Sequence, residues 1–165
     1  MAVLGFARWS LLLLLVSCGA PSVVVKFAVP EGGLNLNVPS LPVDLMVLGG
    51  TPKEEAELAD KLRDSAVRGK WFNQQDRGMR ELRERLRRQG KLASLEVRNR
   101  QRELPSRTLS MGEFPQGAVL VAVADIPAAG EQGKNPLDTT AILEVKKFLV
   151  RIVGDWIEVQ PAGKD

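Results

Sequence analysis

Residues 141–160 read AILEVKKFLVRIVGDWIEVQ, and the fold class follows from them. Two runs rich in β-branched and apolar residues, 141–153 and 156–160, flank the two-residue step Gly154-Asp155, which is the spacing of a tight hairpin. Working back along the chain, Ala118 to Ile126 (AVLVAVADI) is the most apolar run outside the N-terminus. It is expected as a central strand buried on both faces. Val23 to Val29 (VVVKFAV) lies between Pro21 and Pro30 and reads as a strand, and Leu41 to Leu48 (LPVDLMVL) as the next. Pro42 falls near the start of that strand, where a missing donor is tolerated. Beyond Lys91 the period is two, with Leu95 and Val97 alternating with charge, and Leu104 to Met111 is a further candidate. Some seven short strands separated by turn residues predict a mainly β chain, a two-sheet β-sandwich. Residues 127–138 (PAAGEQGKNPLD) read as a loop.

One interruption has a different period. Gly49-Gly50 breaks the strand pattern, and Thr51-Pro52-Lys53-Glu54 has the residues of a helix start. Thr51 can cap, proline suits the first turn, and Glu54 can reach back. Ala59, Leu62 and Ala66 make a narrow apolar stripe that ends before Gly69. A second helix is expected from Asn73 to Gly90, with Met79, Leu82 and Leu86 on one face. The expectation is a helical insertion at about 51–90 made of two surface helices, near 52–68 and 74–89.

Composition removes most chemistry. The 165 residues carry Lys+Arg 23 and Asp+Glu 20, with no histidine, no tyrosine and one cysteine. That length suits one domain. Histidine-dependent triads and imidazole metal ligands are excluded, as are an internal disulfide and a cysteine zinc cluster. No glycine-rich phosphate loop and no metal-ligand spacing occurs. No catalytic residue, metal or cofactor is expected.

The N-terminus, MAVLGFARWSLLLLLVS, has one charge, Arg8, and an apolar run from Leu11 to Val16. This is the pattern of a secretory signal, about half the ~20 residues that a spanning helix needs. It ends at Leu15-Val16-Ser17-Cys18-Gly19, which resembles the bacterial lipobox. By that resemblance residues 1–17 are a lipoprotein signal peptide and Cys18 carries lipid, the thiolate being the nucleophile. Residues 18–22 are then a tether, 23–160 the sandwich domain and 161–165 a tail. Gly19 stands where an aspartate would signal inner-membrane retention, which favours the outer membrane.

Several features admit two readings each. From Arg77 to Arg107 there are eleven basic and four acidic residues. The stretch is either a solvated helix face, with Glu81–Arg85 and Glu84–Arg88 at i,i+4 spacing, or a surface for an acidic protein or anionic lipid head groups. Nucleic acid is removed by secretion and by the lack of interleaved aromatics. Asp44 and Asp125 are expected as outward residues or strand-end caps rather than general acids. Trp71-Phe72 is expected as a helix-to-helix corner plugging the sandwich, and Trp156 is expected to pack on a sheet face. Segment 31–40, EGGLNLNVPS, presents Leu34, Leu36 and Val38 between asparagines. Those side chains either contact a partner or fold back onto the sandwich.

The whole pattern resembles the outer-membrane lipoprotein of type VI secretion systems. The residues that carry the resemblance are Ser40-Leu41-Pro42-Val43-Asp44-Leu45-Met46-Val47-Leu48, Phe72-Asn73-Gln74-Gln75-Asp76 entering a helix, Leu104-Pro105 followed by Arg107-Thr108-Leu109, and Phe114-Pro115-Gln116-Gly117 leading into Ala118–Ala124. The aromatic and glutamine that usually follow the second strand are missing, and the insertion is longer and more basic. The resemblance implies a transthyretin-like sandwich without enzymatic activity, tethered by lipid and facing the periplasm. It implies that the loop between the first two strands (Gly32, Gly33, Leu34, Asn35, Leu36, Asn37 and Val38) docks onto an inner-membrane-anchored protein with a periplasmic domain. No small-molecule substrate is implied. The competing class is a pilotin-type chaperone that carries a secretin subunit to the outer membrane, for which a groove would be needed.

Overall fold

The computed structural model describes residues 21–29, 38–49, 53–98, 101, 104, 106–127, 135–142, 145–153 and 156–162. Among these, eight strands form two four-stranded sheets, the expected β-sandwich with a helical insertion. The first sheet has β1 (Ser22–Ala28) between β4 (Arg107–Ser110) and β7 (Lys147–Val153), with β8 (Trp156–Pro161) at its edge. β1 runs parallel to β7, and the other pairs are antiparallel. The second sheet has the order β3 (Leu92–Arg98), β2 (Ser40–Leu48), β5 (Val119–Ala124), β6 (Leu137–Ala141), all antiparallel.

Alternation decides which side chains meet between the sheets. Leu41, Val43, Leu45 and Val47 of β2 and Leu120, Ala122 and Ala124 of β5 face Val23, Val25, Phe148, Val150, Ile152 and Ile157 of the first sheet. Each large apolar side chain so buried contributes about 1.5–3 kcal/mol. The opposite faces of β2 and β5 are buried too. Met46, Leu48, Val121 and Val123 form a second core with Leu58, Leu62, Trp71 and Leu86 of the helices. Ala118–Ala124 is therefore the doubly buried central strand that its composition implies.

The register also explains Pro42. Its carbonyl accepts from Asp125 N at 3.0 Å, just past the end of the β2–β5 ladder, so the missing donor faces that end. Val153 pairs with Trp156, as a two-residue hairpin step requires. Gly90 ends the insertion at φ 70°, and a Cβ there would lie 2.2 Å from Ser110 O. Only glycine allows that approach.

Four expectations need correction. The insertion holds three helices, α1 (Lys53–Lys61), α2 (Ser65–Asn73) and α3 (Arg77–Arg88). Asp64 breaks the first expected helix by accepting from Ala66 N and Val67 N at 2.8 and 3.1 Å. α2 then continues through Gly69 and ends at Gln74, φ 55°. Asp76 caps α3 through Met79 N. Secondly, Leu137 and Asp138 of the expected loop open β6 (Leu137–Ala141), a strand short of apolar residues that exists because β5 offers it a ladder. Thirdly, β7 starts only at Lys147, and β4 spans only Arg107–Ser110. Lastly, Trp71 plugs the gap between helices and second sheet, not the sandwich interior. The cap at Thr51 lies outside the described residues.

Candidate docking surfaces

The strand directions give the domain two distinct ends. β1 runs from Ser22 to Ala28, seven residues or about 23 Å, entered from Pro21 and left at Val29. At its entry lie the start of β7, the end of β4, and the roots of the helical insertion at Gly49 and Lys91. Val24 N donates to Lys146 O, Met111 N to Pro21 O, and Val47 N to Lys91 O. At its exit lie the starts of β2, β6 and β8 and the ends of β3, β5 and β7. The β1–β2 connection is at this exit end. Val38 is half-buried just before β2, and Gly32 to Asn37 lie outside the described residues, as does Cys18.

Trp156 also stands at the exit end. It opens β8 beside Val153 and is 43% exposed, the one large apolar side chain so open among the described residues. The expectation that it packs on a sheet face is wrong. Phe148, Val150 and Ile152 fill the interior through the other parity of the hairpin, so Trp156 falls on the outer face of an edge strand. Its exposure had no signal in sequence beyond that parity. The edge itself is blunted, since Ile157 N donates to Asn135 O and Val159 N to an Asp138 carboxylate oxygen, both within 2.9 Å.

The second face belongs to the helices, and Asp44 organises it. Its carboxylate points away from the sandwich interior, as an outward position should, but the insertion covers it completely. Arg83 Nε and Nη2 each donate to it at 2.9 Å, and Trp71 Nε1 donates at 2.8 Å. Arg83 Nη2 also reaches Ser94 Oγ at 3.2 Å, and the guanidinium carbon stands 5.8 Å from the Trp71 ring centroid. Three charge-assisted or indole bonds occupy both carboxylate oxygens, which leaves Asp44 a docking post for α2 and α3 and no general acid. Glu55 of α1 is likewise buried and meets Lys91 Nζ at 2.8 Å.

Arg68 is buried in α2 and donates through Nη1 to Leu62 O and Arg63 O, capping the carbonyls that follow α1. Burial pulls its pKa down while the Asp125 and Asp64 charges oppose the shift. Burial pushes the Asp125 carboxyl up, with Arg68 opposing. Asp125, which directly follows the end of β5, is thus half-buried near a cation.

Between α1 and α3 runs a groove of about 640 Å³, with Leu58, Met79 and Leu82 at its floor and Lys61, Glu81 and Arg88 among its rim. Among the described residues no cluster of acidic or sulfur ligands could hold a metal, and no helix is long and apolar enough to cross a membrane.

With this geometry established, comparison with solved structures bears on the fold. The T6SS lipoprotein TssJ1 from Pseudomonas aeruginosa is similar at TM-score 0.50 and 13% identity, covering 88% of this chain and 99% of that one. Serratia marcescens Lip, a membrane-bound component of the type VI secretion system, matches at TM-score 0.49 and 7% identity, covering 88% and 99%. The C-terminal domain of the T6SS protein TssM from EAEC matches at TM-score 0.47 and 8% identity, covering 84% and 98%. No family model matches the chain, and no curated relative does. The sandwich with a helical insertion is the fold of the Pseudomonas lipoprotein. At that identity the likeness concerns fold.

Proposed function

We propose that this chain is a non-enzymatic lipoprotein of a type VI secretion membrane complex, lipidated at Cys18 in the outer membrane, with its domain in the periplasm. The exit end of the sandwich, through Leu34, Leu36, Val38 and Trp156, docks onto an inner-membrane-anchored partner. One observation carries the reading. The tether enters at one end of β1 and the β1–β2 connection leaves at the other. A lipid on Cys18 therefore points the connection away from its membrane, toward whatever spans the periplasm. The exposed indole at the same end adds a side chain of the kind that anchors interfaces. The fold shared with a type VI lipoprotein supports the same reading.

The test has two arms. Fatty-acid labelling should mark the wild-type chain in outer-membrane fractions, and Cys18→Ser should abolish the label and release or strand the protein. A cross-linker placed at residue 38 should capture an inner-membrane protein, whereas one at residue 113, in the β4–β5 connection at the entry end, should not. The groove between α1 and α3 favours a second reading, the pilotin-type chaperone, which requires a secretin segment to bind there. A cross-linker at Met79 that captures a secretin subunit would replace the first reading with this one.

A further inference from the structure

Three basic residues that the docking reading leaves unused, Lys146, Lys147 and Arg88, stand toward the end of the domain where the tether enters. Only Gly19 and Ala20 separate Cys18 from Pro21, three steps or at most about 11 Å of chain, so a lipid at Cys18 holds the entry end close to the head groups. Two sources of positive charge flank that point. On one side Lys146 and Lys147 are exposed at the start of β7, with Lys147 in register with Val24 and Lys146 O accepting from Val24 N at 2.9 Å. On the other side α3 ends at Arg88, and Gly90 lies against Ser110, the register partner of Ser22. One strand spacing, about 4.8 Å, thus separates the element that touches the end of α3 from the first strand residue after the tether.

Local carboxylates do not cancel this charge. α3 carries six arginines and two glutamates. Arg83 is taken by Asp44, Arg77 pairs with Glu81 and Arg87 with Glu84. Exposed Arg88 has no carboxylate partner among the described residues. α1 begins at the same end but neutralises itself, with Glu57 between Lys53 and Lys61 and Glu55 under Lys91. Glu113, exposed in the β4–β5 connection, is the opposing charge. Arginines in a last helical turn also favour the helix dipole, which accounts for Arg87 and Arg88 in α3 but not for Lys146 and Lys147 on a strand of the other sheet.

We propose that the entry end of the domain, through Lys146, Lys147 and Arg88, rests on the anionic phospholipid surface of the leaflet that holds the tether. The inference rests on the lipid-tether reading above and adds a second, electrostatic contact that sets the tilt of the domain. Contacts of this kind act within a Debye length, about 8 Å at physiological salt, and a tether of at most about 11 Å leaves the domain free to settle that close to the head groups.

The test uses the full chain, lipidated and processed in a bacterial host and reconstituted into vesicles. Gln89→Cys supplies a labelling site, because the chain's own cysteine is occupied by lipid. A fluorophore at position 89 is read against a quencher carried on lipid head groups. Quenching should rise several-fold when phosphatidylglycerol is added to phosphatidylcholine vesicles. It should fall back in high salt, and in the triple variant Lys146→Gln, Lys147→Gln, Arg88→Gln. Attached protein whose label is quenched equally in both vesicles overturns the proposal while leaving the tether intact. Protein that fails to attach to either vesicle overturns the tether reading and this inference with it.

Discussion

Asp44 and Arg83, 39 positions apart in sequence, meet in a two-pronged ion pair with both N···O distances at 2.9 Å, beneath the helices and over the second sheet. Trp71 Nε1 completes the cluster from the last turn of α2. One strand residue thereby anchors two helices, and the cluster fixes how the insertion sits on the sandwich. Removing one partner of a buried pair strands the other, which costs about 3–5 kcal/mol. Asp44→Leu alone should lower the unfolding free energy by that amount in urea titrations. Adding Arg83→Met should recover most of it and leave about 1–3 kcal/mol for the orphaned indole donor. Equal losses in the single and double variants would show that the pair contributes nothing as a pair.

Val121 tests the double burial of β5. It is fully covered by the helices, whereas its β6 register partner Thr139 is exposed. Val121→Asp should cost several kcal/mol through an unpaired buried charge, and Thr139→Asp should be tolerated. Circular dichroism melts of the two variants give the comparison.

The pH dependence of stability follows from Asp125. Burial raises its folded pKa above the unfolded value, so in the window between them the folded state holds more protons than the unfolded state. Stability therefore falls as pH rises from about 4 through the raised value, and the penalty is complete above it. Asp125→Asn should flatten that limb in urea titrations taken across the window. An unchanged limb would place the carboxyl in water.

The docking end gives a prediction that separates contact from core. Leu34→Ser with Leu36→Ser, and separately Trp156→Ala, should melt like the wild type and lose the envelope partner in co-purification. If the leucines instead fold onto the sandwich, the double change should lower stability by about 2–5 kcal/mol, as large-to-small core changes do. Normal melting with the partner retained would remove this end from consideration.

The sequence by itself determined most of the strands and the alternation of their side chains, because alternation is a local property of a pleated backbone. The Gly154-Asp155 step, the apolar run at Ala118–Ala124 and the stop at Gly90 were legible for the same reason, each being a demand that short-range geometry makes on residue type. The split of the first helix at Asp64 was present as a capping residue but was masked by the continuous apolar stripe Ala59, Leu62, Ala66. Only the tertiary structure decided what lies over each outward face. Asp44 and Trp156 both point outward from their sheets, yet one is sealed under α2 and α3 and the other stands in solvent. Their immediate neighbours in sequence do not distinguish them. β6 has the same origin, since LDTTA becomes a strand only where β5 presents an unpaired edge. The two opposed ends of the domain likewise arise from the parallel pairing of β1 with β7, a contact between segments more than a hundred residues apart. Periodicity reports which way a side chain faces, and only long-range packing supplies what it faces.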